Sequence, residues 1–470
     1  MIDRFNLVKP KFVPPMDNEF RPAVLANRAF KHEMGEEGVP LVFGLERDDG
    51  KLSRFETRVF PENHPYTEEN LYYAERIFKF LLWQRGGYKV YIGGPPSIGK
   101  YLQNCYSPDG KRKFDYHFMS EQVYERTVSV ELCELSQVPL AHDTGVSLGR
   151  HLEGYRIGFD LGASDRKVSA VVDGQVVYSE EVIWEPSKHP DPEYHYREII
   201  SALKTAASKL PRVDAIGGSS AGIYIDNRPM VASLFRGIPP ERFLEIRNLF
   251  IRIRDELNVP LIVINDGDVS ALAGSMSLED NGILGIAMGS SQAAGYIDMQ
   301  GRIMGWLNEL CFAPIDYNPT APIDEWSGDI GCGSQYFSQQ CVFRLAPQAG
   351  IQIPDDITDA EKLKFVQQKL DAGDKGAINI WKSIGIYLGY ALAHYADFYD
   401  MKHVLILGRV TSGLGGTLIL DESRKVLKAE FPELASCLDV QLPDERNRRV
   451  GQSIAAASLP IVAKETETAT

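Results

Sequence analysis

VPLIVIND, residues 259–266, is an apolar run that ends in Asn265 and Asp266 and leads into the small-residue stretch VSALAGSM. The run predicts a buried strand, and the stretch after it predicts a helix. Side chains at the carboxyl end of such a strand lie where ligands bind in α/β sheets. An Asp there can accept a proton from an alcohol, while the Asn binds neighbouring hydroxyl groups. The alternative interpretation is that the pair only caps the helix.

Two turns between predicted strands carry residues suited to phosphate. In the first, Asp160 can reach Mg²⁺ through water, while the turn of Gly162 and Ser164 offers N–H and hydroxyl groups to phosphate oxygens. The second turn, with Gly289 and Ser290, repeats this layout later in the chain. Since Asp-x-Gly hairpins are common, the first turn alone is a weak signal.

A glycine-rich strand end follows the run HVLIL and contains Gly408 and Gly413. Glycines there could let an adenine or a ribose lie against the backbone. The alternative is that they serve only the packing of a helix on the strand.

The wider pattern predicts an α/β chain with a loose internal duplication. From Gly154 onward, three antiparallel strands and then alternating helices and strands are predicted twice, including the helical stretches REIISALKTAASKL and ERFLEIRNLFIRIRDEL. The first part of the chain predicts a mixed α/β unit, with a helix over 67–86 and strands in VPLVFGLER, YKVYIG and RTVSVELCEL. We therefore expect an accessory domain over 1–150 and two lobes over 151–275 and 276–470, with the final helix able to return to the first lobe.

The order of these motifs resembles the ROK family of sugar kinases and related repressors, in the sugar-kinase branch of the actin-like ATPase superfamily. The resemblance covers about residues 154–465. It implies an α/β, two-lobed actin-like ATPase (ribonuclease H-like) fold, with an appended N-terminal α/β domain. It also implies ATP-dependent phosphorylation of a hexose or related polyol, with ATP and Mg²⁺.

The resemblance also implies roles for individual residues. Asp266 would be the general base on the sugar hydroxyl, and Asp160 would hold Mg²⁺ through water. The sugar would be bound by Asn265, Glu309 and Gly222. The nucleotide would be bound by Asp160, Gly162, Ser164, Gly289, Ser290, Gly408 and Gly413.

The chain also departs from the family pattern. Gly289 is followed by two serines where the family has Gly-Thr-Gly, and Phe312 stands where the family has a sugar- or zinc-binding His. The family's zinc-binding cysteine cluster is absent, and Cys332 and Cys341 are poor ligands, so no zinc site is expected. Asp324 and Glu325 lie near the place of another sugar-contacting Glu, but the spacing does not match.

These departures keep other functions open. The main alternative is a catalytically weak or inactive regulatory protein that binds sugar or nucleotide. A DNA-binding repressor of the same family and an actin-like enzyme with another acceptor are further alternatives.

Composition narrows the choice of partners. The chain has 470 residues and a formal net charge of −14, which argues against nucleic-acid binding, and no recognition helix is predicted. No apolar stretch is long enough to span a membrane, and no signal peptide is predicted. Six scattered cysteines without a Cys-x-x-Cys pair fit a cytoplasmic protein. A homodimer is compatible with the sequence, and the final KETETAT is expected to fray.

YIGGPPSIGKYL, residues 91–102, approaches the phosphate loop of P-loop enzymes. Tyr101 replaces the metal-binding hydroxyl residue, however, and Pro95 and Pro96 remove two N–H donors. The stretch therefore predicts a Gly-Pro turn that joins a strand to a helix.

Overall fold

A computed structural model describes residues 5, 8–47, 50–143, 145, 148–443 and 445–462, with side chains omitted for 445–450. The tail predicted to fray, 464–470, lies outside these ranges. The chain divides into two compact units: unit 1 comprises 1–144, 286–294 and 304–442, and unit 2 comprises 145–285, 295–303 and 443–470.

The strands are Val39–Glu46 (β1), Leu52–Val59 (β2), Lys89–Gly93 (β3), Ser129–Cys133 (β4), Tyr155–Leu161 (β5), Asp165–Val172 (β6), Gln175–Ile183 (β7), Ala215–Ser220 (β8), Ile223–Ile225 (β9), Arg228–Val231 (β10), Leu261–Asn265 (β11), Ile283–Met288 (β12), Gln292–Ile297 (β13), His403–Leu407 (β14) and Asp439–Gln441 (β15). The α-helices are Ala23–Met34 (α1), Thr67–Arg85 (α2), Pro96–Cys105 (α3), Lys113–His117 (α4), Pro192–Ala207 (α5), Phe243–Arg247 (α6), Leu249–Leu257 (α7), Asp266–Leu278 (α8), Gln339–Leu345 (α9), Asp359–Asp371 (α10), Lys375–Tyr395 (α11), Leu414–Glu430 (α12), Pro432–Cys437 (α13) and Glu445–Ala457 (α14). Among the described residues, none of these helices combines the length and the hydropathy that crossing a membrane requires.

Unit 2 is built on a five-stranded sheet with the order β11-β8-β5-β6-β7. β5, β6 and β7 form an antiparallel meander, whereas β8 and β11 run parallel to β5. Phe159, Ile216, Phe250 and Val263 belong to one buried apolar cluster that includes residues of this sheet and of the helices that cover it. The parallel strands therefore point their carboxyl ends to the same edge of the sheet.

The last helix, α14, packs on β5 and β8 at very short range. A Cβ atom on Gly217 would lie 1.6 Å from the carbonyl oxygen of Ala456, and one on Gly158 would lie 2.1 Å from that of Ser453. Glycines at these strand positions are therefore what allows the end of the chain to lie against the sheet of unit 2.

Unit 1 contains a four-stranded sheet with the order β2-β1-β3-β4, formed within the first 144 residues. β1 pairs antiparallel with β2 and β3, and β3 pairs parallel with β4. A second sheet has the order β13-β12-β14-β15, in which β14 and β15 are parallel.

Most of the residues expected to form an accessory domain over 1–150 lie in one compact unit with later parts of the chain. Residues 1–144 share unit 1 with later parts of the chain. The ring of Phe20 lies 4.7 Å from that of Tyr387, and the ring of Phe80 stacks 3.9 Å from that of Phe398. Because these aromatic side chains pack on residues far along the sequence, the N-terminal part shares the core of unit 1.

The P-loop look-alike forms the predicted Gly-Pro turn between β3 and α3. Gly94 has a φ of +149°, and Pro95 precedes the first turn of α3. The N–H and hydroxyl groups of Ser97 donate to a carboxylate oxygen of Glu62 at 3.3 and 3.0 Å. The carboxylate of Glu62 thus occupies the helix N-terminus, where a P-loop would bind phosphate.

Candidate active site

The carboxyl edge of the unit 2 sheet gathers several of the predicted site residues. In the parallel pairing, Asp160 lies opposite Ser219 and Asn265 lies opposite Ser220. Asp266 follows directly as the first residue of α8. Strand order and register therefore place two carboxylates, two hydroxyls and an amide along one edge.

The side chain of Asn265 forms hydrogen bonds to the backbone at two positions near it. Its side-chain oxygen accepts a hydrogen bond from the N–H of Gly267 at 2.7 Å, and its side-chain nitrogen donates to the carbonyl oxygen of Gly222 at 2.7 Å. Gly222 has a φ of +123°, and a Cβ atom there would lie 2.2 Å from the carbonyl oxygen of Val231. Asn265 is thus the helix cap that the alternative interpretation predicted, and it also brings the Gly222 loop to the site.

Asp266 is half-buried at the start of α8, and its pKa is raised to about 6. Burial is the main cause, and the negative charge of Asp160 adds to it. The N–H groups of Gly267 and of Asp266 itself act in the opposite direction. A carboxylate with a pKa in this range is a competent general base near neutral pH.

Asp160 is held by a hydroxyl group. Ser219 Oγ donates to Asp160 Oδ1 at 2.6 Å, and Gln452 Nε2 donates to Ser219 Oγ at 3.3 Å. Burial raises the pKa of Asp160, while the hydrogen bond from Ser219 and the charge of Lys167 lower it. A carboxylate oxygen beside a hydroxyl group fits the oxygen ligands that Mg²⁺ prefers, directly or through water.

The turn after Asp160 uses part of its hydrogen-bonding capacity internally. The N–H of Gly162 donates to the carbonyl oxygen of Asp165 at 2.9 Å, and Trp184 Nε1 donates to the carbonyl oxygen of Gly162 at 2.9 Å. Ser164 is exposed, and its hydroxyl donates to the carboxylate of Asp165 at 3.2 Å. Gly162 therefore closes the turn, and Ser164 offers the accessible hydroxyl.

The second predicted phosphate turn lies in unit 1. The N–H of Gly289 donates to the carbonyl oxygen of Ser291 at 3.0 Å, and the N–H of Gln339 donates to the carbonyl oxygen of Gly289 at 2.9 Å. Ser290 and Ser291 are exposed, whereas Gln292 is buried. A Cβ atom on Gly289 would meet nothing closer than 3.7 Å, so the turn itself does not require glycine there.

The glycine-rich strand end also lies in unit 1. Gly408 has a φ of +94°, and a Cβ atom there would lie 2.4 Å from the carbonyl oxygen of Met288. Thr411 donates to the carbonyl oxygen of Gly408 through its N–H at 3.1 Å and its hydroxyl at 2.8 Å. Gly413 has a φ of +60° and open space around it. Backbone packing thus explains Gly408, while Gly413 leaves room beside the start of α12.

Glu309, the predicted sugar-binding carboxylate, lies in unit 1 as well. Its N–H donates to the carbonyl oxygen of Trp83 at 3.0 Å, and Cys311 Sγ lies 3.5 Å from Glu309 Oε2. Phe312, at the family's His position, is buried with its ring 4.2 Å from that of Trp83. The imidazole expected from the resemblance is thus replaced by an aromatic core contact.

The residues near Glu309 do not fit a zinc ion. Cys311 and Cys332 are buried free thiols, and burial raises the pKa of both. The positive charge of Lys79 acts on Cys332 and would repel a divalent cation. Within the described ranges, no three His, Cys, Asp or Glu side chains form a group able to hold a metal ion.

The predicted site residues are divided between the units. Unit 2 contains Asp160, Gly162, Ser164, Gly222, Asn265 and Asp266, and unit 1 contains Gly289, Ser290, Glu309, Gly408 and Gly413. The sequence interpretation missed Ser219, although hydroxyl residues at the end of the apolar strand β8 could have indicated it. It also missed Trp83, for which the sequence offers no local signal.

The chain is similar in fold to solved structures of ROK proteins. A ROK hexokinase from Thermus thermophilus matches with a TM-score of 0.50 and 17% identity, covering 64% of this chain and 97% of that one. A ROK family transcriptional regulator, a homolog of the E. coli MLC protein, matches with a TM-score of 0.50 and 18% identity, covering 82% of this chain and 95% of that one. A ROK family glucokinase from Streptomyces griseus, solved with glucose and AMPPNP, matches with a TM-score of 0.49 and 21% identity, covering 64% of this chain and 99% of that one.

No protein-family model matches the chain, and no curated protein matches its sequence. The structural similarity confirms the α/β actin-like ATPase fold and the resemblance to ROK proteins at the level of the fold. Since the fold is common to a hexokinase and a regulator, it leaves the activity to be argued from the site.

Proposed function

We propose that the chain is an ATP-dependent carbohydrate kinase that transfers the γ-phosphoryl group of ATP to a hydroxyl of a hexose or related polyol. The observation that supports this best is Asp266, a half-buried carboxylate at the end of β11 with its pKa raised to about 6. A structural or capping Asp does not need such a pKa, whereas a base that deprotonates an alcohol does. The fold shared with a ROK hexokinase supports the same reaction class.

In the proposed reaction, the sugar hydroxyl gives its proton to the Asp266 carboxylate as its oxygen bonds to the γ-phosphorus. The bond from that phosphorus to the β–γ bridging oxygen breaks, and ADP leaves. Asn265 and Glu309 would bind neighbouring hydroxyls, and the Gly222 loop, fastened by Asn265, would border the sugar. These residues orient the acceptor so that only one hydroxyl reaches the base.

Phosphate and adenosine would be bound by the predicted turns. Asp160 would hold Mg²⁺ through water, and bound Mg²⁺ would balance negative charge on the phosphates. Ser164 and Ser290 have exposed hydroxyl groups suited to phosphate oxygens, Ser164 once its hydroxyl turns away from Asp165. The open space at Gly413 suits adenosine. Gly162, Gly289 and Gly408 would shape these turns.

An ADP-release assay over hexoses, amino sugars and polyols tests the proposal. Asp266→Asn keeps the shape of the side chain but removes the base, so kcat should fall by about 10²–10⁴ with nucleotide affinity nearly unchanged. Asp255→Asn is a matched control, because Asp255 is an exposed carboxylate of α7 in the same unit, paired with Arg254 at 2.8 Å. Equal sugar-dependent rates for Asp266→Asn and the unmodified protein would disprove the assignment of the base.

A regulatory protein that binds sugar or nucleotide without efficient transfer is the second candidate. Phe312 in place of the family's His favours it, since a buried ring offers no hydrogen bond to a sugar. The fold shared with a ROK transcriptional regulator favours it too. Calorimetric sugar binding without sugar-dependent ADP release would support this candidate, and a gel-shift assay would test DNA binding.

A further inference from the structure

Unit 1 contains a cluster of six buried charged side chains, none more than 7% exposed. Its members are Glu75, Arg76 and Lys79 of α2, Arg112 and Asp115 at α4, and Asp329. Three are cations and three are carboxylates, so the cluster is neutral as a whole. So many buried charges are tolerated only when all are paired, because an unpaired buried charge is strongly destabilising.

Asp329 is the acceptor at the centre of this cluster. Its carboxylate lies 3.0 Å from Arg76 Nη1, 3.0 Å from Lys79 Nζ and 2.6 Å from Arg112 Nη1. Burial alone would raise the pKa of Asp329, but Arg76 and Lys79 lower it below its ordinary value. The carboxylate therefore stays ionised with three cations around it.

Asp329 belongs to an irregular segment, residues 309–338, that begins at Glu309. The N–H of Ile315 donates to the carbonyl oxygen of Gly331 at 2.8 Å, and the N–H of Gly333 donates to that of Ala313 at 3.0 Å. These bonds tie the stretch just after Asp329 to the stretch just after the Glu309 turn. Fixing Asp329 thus restrains the backbone on both sides of the segment.

One face of α2 contacts residues 309–338 at two places, Asp329 and Glu309. Arg76, Lys79 and Trp83 are spaced by three and four residues and so share a helix face. The first two bind Asp329, while the ring of Trp83 packs 4.2 Å from that of Phe312. The carbonyl oxygen of Trp83 accepts the N–H of Glu309 at 3.0 Å.

We propose that α2, through Lys79, Arg76 and Trp83, is the positioning element for Glu309, and that these side chains rather than a bound zinc ion hold the segment in place. The buried thiols of Cys311 and Cys332, whose pKa values are raised, do not suit a zinc ion at this place. The effect on sugar binding rests on the proposed function, whereas the fastening of residues 309–338 does not.

The test compares amide hydrogen exchange and kinetics in Lys79→Gln and in the unmodified full-length protein. Amide exchange in residues 309–333 should become about tenfold faster, while amide exchange in β1 and β2 of the same unit should stay unchanged. The KM for sugar should rise about tenfold with a smaller change in kcat and unchanged nucleotide affinity, because only the sugar contact is displaced. Lys79→Arg, which keeps the charge, should restore most of both properties.

Two further variants make the result decisive. Trp83→Phe keeps the charges but removes the indole N–H, which donates to Asp115 at 2.7 Å. Amide exchange in 309–333 should accelerate in this variant too, by less than in Lys79→Gln. This variant provides the test if Lys79→Gln does not fold. Glu198→Gln breaks the 3.0 Å pair with Arg166 in unit 2 and should leave both exchange in 309–333 and the KM unchanged.

Unchanged exchange in 309–333 in Lys79→Gln and Trp83→Phe, or acceleration throughout unit 1, would overturn the proposal, as would one equivalent of zinc in the purified protein. If the unmodified protein binds no sugar, the proposed function fails. The exchange experiment then still decides whether α2 fastens the segment.

Discussion

Among single residues, Asp266 shows most clearly how position sets chemistry. Two effects on its pKa act in the same direction, because burial disfavours the charged form and the Asp160 carboxylate repels it. A pKa of about 6 keeps the side chain mostly ionised at neutral pH yet more basic than an exposed Asp.

This pKa predicts the pH dependence of the proposed reaction. The base must be deprotonated, so kcat/KM should be level above pH 6 and fall about tenfold per pH unit below it. A pH–rate profile of the free enzyme measures the midpoint. Asp160→Asn removes the neighbouring charge and should move the midpoint of any residual activity to lower pH. A midpoint near pH 4 in the unmodified protein would contradict the pKa assigned to Asp266.

How far the sequence predicts single residues depends on where their partners lie. Asn265 and Asp266 could be recognised because an apolar run, a polar pair and a helix follow one another locally. The structure agrees that they end β11 and begin α8. Ser219 was missed although it ends an apolar strand, because its partner Asp160 is far away along the chain. Trp83 could not be assigned, since its role comes from the equally distant Glu309.

Among the elements, β8 shows how glycines permit a close approach. Gly217→Ala would place a methyl group 1.6 Å from the carbonyl oxygen of Ala456, so α14 would have to shift. We expect a loss of about 1–3 kcal/mol in the free energy of unfolding. Urea denaturation measures it.

Gly285→Ala is the matched control for Gly217→Ala. Gly285 lies in β12, and its Cβ atom would meet only ordinary contacts at 3.7–3.8 Å with Ala271. It should be close to neutral or slightly stabilising. Equal urea midpoints for the two variants would contradict the close packing of α14.

The sequence predicts a helix well where the spacing of apolar residues is regular. It predicts the helix less well where the backbone is interrupted within that spacing. The helix predicted over 67–86 is α2, Thr67–Arg85, and Gly86 ends it. The stretch ERFLEIRNLFIRIRDEL, predicted as one helix, forms α6 and α7 with a break at Asn248. Apolar spacing continues across Asn248, so the pattern alone does not reveal the change in backbone direction.

At the scale of the whole molecule, the N-terminal 144 residues are a constituent of unit 1. A chain of residues 145–470 would lose the partners of Tyr387, Phe398 and Phe312 and expose those rings. We expect it to aggregate or to bind a hydrophobic dye, as judged by gel filtration and fluorescence. A monodisperse 145–470 chain with the native near-ultraviolet circular dichroism would contradict this.

The contacts that join distant stretches of the chain within unit 1 have no local signature in the sequence. Boundaries drawn along the chain assume that neighbours in sequence share a core, whereas unit 1 combines 1–144 with 286–294 and 304–442. The aromatic contacts that join them link residues hundreds of positions apart, and no local pattern encodes such pairs.

The contact of α14 with β5 and β8 has a consequence for how the protein is made. Gly158 and Gly217 are synthesised well before Ser453 and Ala456, the residues that cover them. While the ribosome is still translating the middle of the chain, α14 does not yet exist. The face of the unit 2 sheet that α14 covers is therefore exposed in the nascent protein. Contacts between such distant parts of a chain slow folding and lengthen the exposure of apolar surface. Unit 2 can therefore be completed only after residues 453–456 have left the ribosome, and a nascent chain stalled before residue 445 is a natural client for chaperones.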